Sequence, residues 1–301
     1  MSATLRLQSC GAGVQSTAVA LLIQQGKLPP IDGAIFADTG WEPKAVYEHL
    51  DRMEQEIFKP MGVPLYRVSA GNIRSDVLDP EKRFASMPLF VRNPDGSRGM
   101  ARRQCTSEYK LKPIKRKTRE LLGYPHPKPV PKGVYVDQLI GISTDEVHRA
   151  KDSGLRYSIN SFPLLDLGLS RRDCLRILHA AGWETTPKSA CIGCPFHGNA
   201  QWRRMRDESP EEWADAVDFD AAIRNGSARA NAQGQGLRGH MFMHSSLLPL
   251  DEAPVDRITK AERDASQLDL VDLAEDIEAG VDIDAEFEQG CGPWSCRSDG
   301  V

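Results

Sequence analysis

The stretch LRLQSCGAGVQSTAVALLI, Leu5 to Ile23, decides how this chain is read. An apolar run is interrupted by Ser9-Cys10-Gly11-Ala12-Gly13-Val14-Gln15-Ser16-Thr17 and then resumes with helical spacing. Leu5–Leu7 reads as a short buried strand, and residues 16–25 as a helix closing at Gly26. A strand that passes through a glycine-rich turn into a helix aims backbone N–H groups and the positive helix end at one point, which makes an anion site. Gly11 and Gly13 permit close backbone approach, and Ser16 and Thr17 add hydroxyl donors. No Gly-Lys-Ser/Thr is present, so this is not a Walker loop, and the glycine spacing is not that of a dinucleotide fingerprint. Taken alone, a purely structural glycine turn explains the stretch equally well.

The next segments extend the pattern. IDGAIFADTG gives a second strand over residues 34–37 that closes on Asp38-Thr39-Gly40, with Glu42 just beyond. PKAVYEHLDRMEQEIF has helical spacing after a proline, and PLYRVSAG reads as a third strand. Strand, helix, strand, helix, strand at these lengths predicts an α/β fold with a doubly wound, mainly parallel, Rossmann-like sheet. An acidic side chain beyond the carboxyl end of such a strand commonly accepts from ribose or base donors. Asp38 or Thr39 would serve equally as a helix N-cap.

Further along, residues 75–103 read as a long loop over a site, and TSEYKLKPIKRKTRELLG as a helix bent at Pro113. VYVDQLIGIS reads as a strand, and SRRDCLRILHAAG as a helix capped by Ser170 and ended by Gly182. The expected units are a nucleotide-binding domain over 1–165, a helical Cys-x-x-Cys segment over 166–225 and an acidic, partly disordered tail over 226–301. Forty per cent hydrophobic and 27% charged residues are ordinary for a globular chain. No window has the length of a membrane span, and the start lacks the pattern of a signal peptide, so a cytoplasmic protein with no membrane partner is expected. Seven cysteines in such a chain point to reduced thiols or a metal site. Residues 102–119 hold eight basic side chains against Glu108 alone, while residues 261–288 hold eleven acids against Arg263 alone. Each run is either a solvated face or, for the basic one, a contact for phosphate.

With GAGVQST after the first strand and FADTGWEP after the second, the chain resembles the PP-loop superfamily of adenine-nucleotide enzymes. Within it, the phosphoadenosine phosphosulfate (PAPS) reductase family and its phage-type relatives are the nearest likeness. The resemblance implies a sheet that binds an adenine nucleotide, with Ser9, Gly11, Ala12, Gly13, Gln15, Ser16 and Thr17 around its phosphates and Asp38, Thr39, Gly40 and Glu42 beside it. Gln15 stands where the family loop, Ser-Gly-Gly-x-Asp-Ser, has its aspartate, which weakens an expectation of ATP pyrophosphate cleavage. CTSEYKLKPI resembles the Cys-Cys-x-x-x-Lys-x-x-Pro-Leu segment of iron–sulfur adenylylsulfate (APS) reductases, keeping Cys105, Lys110 and Pro113 but with Thr106 at the second cysteine. GISTDEVHRA resembles Gly-Ile-Arg-x-Asp-Glu-Ser-x-Arg, keeping Asp145, Glu146 and Arg149.

KSACIGCPFHGNAQWRRM carries Cys191-x-x-Cys194, a pair that suits zinc, an iron–sulfur cluster or a redox dithiol. No thioredoxin-like context precedes it, so the redox reading ranks last. The family likeness makes Cys105 the third ligand. For the fourth, Cys174, His197, Cys291, Cys296 or no protein group remain open, and a [4Fe–4S] cluster is read ahead of zinc. Cys291 and Cys296 in EQGCGPWSC faintly resemble the nucleophilic C-terminal cysteine of PAPS reductases, although chance is an equal explanation. Arg102, Arg103, Lys110 and Arg149 are the expected phosphate contacts. A polynucleotide partner is weakly indicated, because Tyr109 is the only aromatic in the basic run. QWRRMR reads as a paired helix surface.

The function expected is sulfur transfer or sulfonucleotide reduction on ATP or an adenylyl sulfonucleotide, with a reductant protein or sulfur donor as partner. The alternatives are ATP-dependent thiolation of a nucleobase or nucleic acid, and a non-catalytic nucleotide-binding module with structural zinc.

Overall fold

The computed structural model describes residues 3–82, 86–234 and 236–265. Its main sheet is built from β1 (Leu5–Ser9), β2 (Gly33–Asp38) and β3 (Leu65–Ser69), with two later strands added on the far side of β1. Between them, α1 (Val14–Gln24) follows β1, and α2 (Lys44–Met53) follows β2 and runs into a π-helical turn, Glu54–Phe58. The period-two pattern of β2 sets its faces: Ala34 and Phe36 join the core with α1, while Ile35 turns to the opposite side with Leu7. α1 starts at Val14, two residues before the sequence-based boundary, and is buried almost all round because the sheet, α2 and a later helix enclose it.

The described part of the expected loop, residues 75–103, holds regular structure. α3 (Ile73–Leu78), capped by Asn72, runs into it, and the short strands β4 (Phe90–Arg92) and β5 (Arg98–Met100) lie within it. A second π-helical turn, Thr106–Leu111, leads into α4 (Lys112–Leu121). The expected helix is continuous from Cys105 to Leu121, and Pro113 stands where its π-helical turn passes into α4. The change from π to α hydrogen bonding takes place at the residue that has no N–H to donate.

β6 (Val136–Ile140) then enters beside β1, and β7 (Ser158–Ser161) pairs with it, completing the order β3-β2-β1-β6-β7 with every pair parallel. α5 (Pro163–Asp166) and α6 (Arg171–Ala180) pack with α1 and α2 on one face, and α4 covers β2 and β3 on the other. This is an α/β architecture with helices on both sides of a parallel sheet. Ser170 caps α6, its hydroxyl accepting from Asp173 N–H.

A second core lies beside the sheet. α7 (Asn199–Glu208), α8 (Pro210–Ala222) and α9 (Ala228–Ala232) are followed by β8 (His240–Phe242), which pairs antiparallel with β4 to give the order β5-β4-β8. Trp202 and Phe219, both fully buried, sit in this core with Met241, Leu250 and Val255 from residues 226–265. That part of the expected tail thus belongs to a packed unit, as does the closing helix α10 (Lys260–Ala265), whose Glu262 pairs with Arg203 at 2.8 Å. Of the arginines of QWRRMR, Arg204 has the expected i,i+4 partner, Glu208, while Arg203 and Arg206 pair instead with Glu262 and Asp256 from distant segments. Among the described residues no helix is long and apolar enough to cross a membrane.

Candidate nucleotide and cysteine site

In the sheet the chain leaves β1 toward β2 on one side, and β6 enters on the other. The carboxyl ends of β1 and β6 therefore bound the switch-point crevice where open parallel sheets take ligands. A cleft of about 490 Å³ lies there. Ser9, Gly11, Gly13, Gln15 and Ser16 line it from the turn, and Ile140 and Gly141 from the end of β6. The turn is held open at Ala12, in the left-handed region at φ 53°, and the first N–H groups of α1 lack intrahelical partners. Gly141 has to be glycine: a Cβ there would lie 2.9 Å from the Gln15 carbonyl carbon. Behind the turn, Gln8 of β1 donates from Nε2 to the Ser16 carbonyl at 2.7 Å and ties strand to helix.

Two hydroxyls of the turn already have partners. Ser16 Oγ accepts from Gly13 N–H at 3.1 Å and donates to the Gly13 carbonyl at 3.0 Å. Thr17 faces away from the cleft, fully buried, with its hydroxyl on the Gly13 carbonyl and on His49 Nε2 at 2.9 Å. Burial, with the charge of Arg52, pushes His49 down to about 4, so the ring is neutral at pH 7.

Gln15 has a physical account. Its Oε1 accepts from Arg171 Nη1 at 3.1 Å, and its Nε2 donates to Glu146 Oε2 at 3.4 Å. The amide accepts from the guanidinium and donates to the carboxylate at once; an aspartate there would face Glu146 with like charge. Glu146 in turn pairs with Arg149 at 2.6 Å, and Asp145 accepts from Ser143 Oγ and from Arg171 N–H. The cleft is cationic on balance: Arg103, Lys110, Arg149, Arg171 and Lys188 line it against Asp145 and Glu146. Arg171 and Lys188 are absent from the sequence-based set. Arg102 is exposed and outside the lining. A strap, residues 187–190, crosses the turn. Ser189 donates to the Gly11 carbonyl, and its Cβ would stand 3.2 Å from a Cβ at Gly13.

The end of β2 serves the cysteines. Asp38 is occupied in its own turn, accepting from Gly40 N–H at 2.7 Å and Tyr47 OH at 2.8 Å. Thr39 Oγ1 lies 3.0 Å from Glu42 Oε1 and 3.2 Å from Cys191 Sγ, and Cys191 Sγ is 3.6 Å from Glu42 Oε1. Lys110 closes the group with Nζ 3.2 Å from Glu42 Oε1. Burial opposes the lysine's charge, but Glu42 and Cys191 outweigh it and hold Lys110 above the ordinary lysine range. Burial pushes the Cys191 thiol up, and Glu42 adds to the effect. Burial also raises Cys194, reinforced by Cys105 nearby. The second oxygen of Glu42 is buried without a hydrogen-bond partner.

The Cys191–Cys194 pair lies in a turn between α6 and α7 rather than on a helix. Cys194 N–H donates to the Cys191 carbonyl at 3.1 Å, and Ile192 N–H to the Trp41 carbonyl at 2.9 Å. Gly193 rests on the indole, where a Cβ would stand 1.9 Å from Trp41 Cη2. His197 donates from Nε2 to the Cys191 carbonyl at 3.0 Å, leaving a buried Nδ1 without a partner. Cys105 packs at the edge of the second core. Among the described residues no three His, Cys, Asp or Glu side chains gather as a single-ion site. Cys10 and Cys174 lie in the main core, pushed up by burial to about 11 and about 12. Cys291 and Cys296 lie outside the described residues.

A larger cleft, about 930 Å³, runs between α2, the end of α6 and α7, and shares Pro187 and Lys188 with the first. Its walls mix glutamates with arginines and carry no cysteine, so the chemistry gathers in the smaller cleft. Compared with known proteins, the chain matches no family model and no curated protein.

Proposed function

We propose that the protein is a PP-loop-type enzyme of the PAPS reductase kind. It binds an adenine nucleotide in the switch-point cleft and acts in sulfur transfer or sulfonucleotide reduction. One observation carries the reading: a glycine turn opening α1 faces a cleft lined by five cations, and Cys194 lines that same cleft. Helix end, backbone N–H groups and arginine forks together suit a polyphosphate or phosphosulfate. This also accounts for a phosphate loop without lysine, since the positive charge comes from Arg149, Arg171 and Lys188.

Cys105, Cys191 and Cys194 would hold a [4Fe–4S] cluster. Their soft thiolates suit it, as they suit zinc, and Thr39 beside Cys191 Sγ supplies an outer hydrogen bond. When bound, such a cluster supplies charge and electron capacity next to the nucleotide. In the reductive reaction the thiolate of Cys291 or Cys296, the two cysteines read as nucleophiles from the sequence, attacks the sulfonyl sulfur. An S–S bond forms, the S–O bond breaks, and the nucleotide phosphate leaves with the electron pair toward the cationic wall. The second reading, ATP-dependent thiolation of a nucleobase, draws support from the basic outer face of α4, which begins beside Lys110.

Anaerobic purification with metal analysis tests the cofactor. A brown protein that loses its colour in both Cys105→Ala and Cys191→Ala is expected. Stoichiometric zinc in colourless protein would replace the cluster reading with the structural-zinc alternative.

A further inference from the structure

We propose that the outer face of α4, with the segments flanking it, is a docking surface for the phosphodiester backbone of a single-stranded polynucleotide. α4 returns from the carboxyl end of the sheet toward the start of β6. Its leading end lies at the cleft, where Lys110 and Ile114 are wall residues. Its inner side is fixed by Ile114 and Leu121 against Leu5, Tyr66 and Val68. The outer side carries Lys112, Lys115 and Arg116, all exposed, against exposed Glu120 and with Lys112 paired to Glu108, so it stays cationic on balance; exposed Arg102 lies just ahead of the cleft and Arg103 at its wall. Following Ile114 round the helix, Lys115 and Arg116 face solvent, where a mononucleotide in the cleft has no phosphate to offer them. Ten residues of helix span about 15 Å, the length of about four stacked nucleotides.

The fold also supplies aromatics that the linear run lacks. Lys117 lies over Tyr66 at 4.7 Å, Arg119 over Tyr157 at 5.6 Å and Lys128 over Tyr124 at 4.9 Å. These rings come from β3, from the turn before β7 and from the loop after α4, and all are half-buried. These contacts hold Lys117, Arg119 and Lys128 along the flank of α4; with their faces covered by the cations, the rings position charge for phosphates and offer no stacking platform. The chain's net charge is −4, so a cationic stripe here is a local feature and not a general attraction for anions. A base that reaches a cleft at one end of the stripe must be unstacked, which selects a single strand over a duplex. The preference for a single strand over a duplex rests, through that base, on the function proposed above; the attraction of the stripe for a phosphodiester backbone does not.

The test is fluorescence anisotropy with labelled oligomers of about twelve nucleotides, as single-stranded DNA, single-stranded RNA and duplex DNA, between about 50 and 200 mM salt. A polyglutamate of equal charge serves as competitor. Single-strand binding is expected, weakened about tenfold in Lys115→Glu/Arg116→Glu, with the salt slope reduced by about 0.7 for each phosphate no longer neutralised. Lys115→Gln should fall between the two. The DNA and RNA arms identify the sugar. No single-strand binding, equal binding by the double variant, or equal competition by duplex or polyglutamate would overturn the proposal. ATP titration of the same samples separates the two readings. Retained ATP binding with no strand binding removes only the docking surface, and strand binding with no nucleotide binding removes only the cleft assignment.

Discussion

At the end of β1 eight consecutive residues, Ser9 to Ser16, build the turn and helix start that face the cleft, with Thr17 anchoring them from behind. The cysteine side is assembled differently. It takes Thr39 and Glu42 from the end of β2, Cys105 and Lys110 from the turn before α4, and Cys191 and Cys194 from a loop more than eighty residues later. The turn depends on local backbone geometry, while the cysteine side depends on how a second core is pressed against the sheet. Trp41 joins the two: it follows β2, packs on Phe219 of the second core at 4.7 Å between centroids, and carries Gly193 on its ring. A perturbation of the second core should therefore reach the cysteines before it reaches the turn.

The largest expected effect comes from Trp202→Ala. Removing a fully buried indole costs about 3–5 kcal/mol, read as a lowered urea midpoint. Metal retention should fall with it, while any nucleotide affinity left in the folded fraction stays near wild type. Equal loss of both would erase the distinction between the two sides.

His49 tests the sheet side. Its pKa is depressed from 6.5 to about 4, so between those values the unfolded chain binds more protons than the folded one. The stabilisation is complete above pH 6.5 and is lost as pH falls toward 4, with an upper limit of about 3 kcal/mol. His49→Gln should flatten this part of the stability–pH curve relative to wild type. An unchanged difference between pH 7 and pH 4 would contradict the burial argument.

Gly193→Ala is the narrowest probe. Its Cβ meets the rigid edge of Trp41, and overpacking of this kind costs about 1–3 kcal/mol. Displaced tryptophan fluorescence and weakened metal binding are expected, with an intact turn. Wild-type metal content would show that the Trp41 contact does not position the cysteines.

The sheet and the turn were legible because their signals are contiguous: short apolar runs for the strands, helical spacing between them, and glycines at the strand end. Ser170 and Gly182 bounded α6 for the same reason, as local cap and stop signals around a helical run. What escaped was set by packing between distant segments. Thr39 and Glu42 read as nucleotide contacts from their place after β2, yet the fold turns both onto Cys191. Arg171 is the first residue of α6, and nothing local says that this helix end meets Gln15. Ser189 lies in a stretch without regular structure, and only tertiary packing lays it on Gly11. Gly141 carried a usable hint, as a glycine directly after a buried strand marks close backbone approach.

The central claim is that the Ser9–Thr17 turn binds an adenine nucleotide. Calorimetric titration of anaerobically prepared protein with ATP, APS and PAPS tests it most directly, in parallel with the Gly13→Val/Ser16→Ala variant. Saturable binding of at least one of the three by wild type, and none by a folded variant, is the predicted result. Absence of binding by wild type, or equal affinity in the variant, would contradict it.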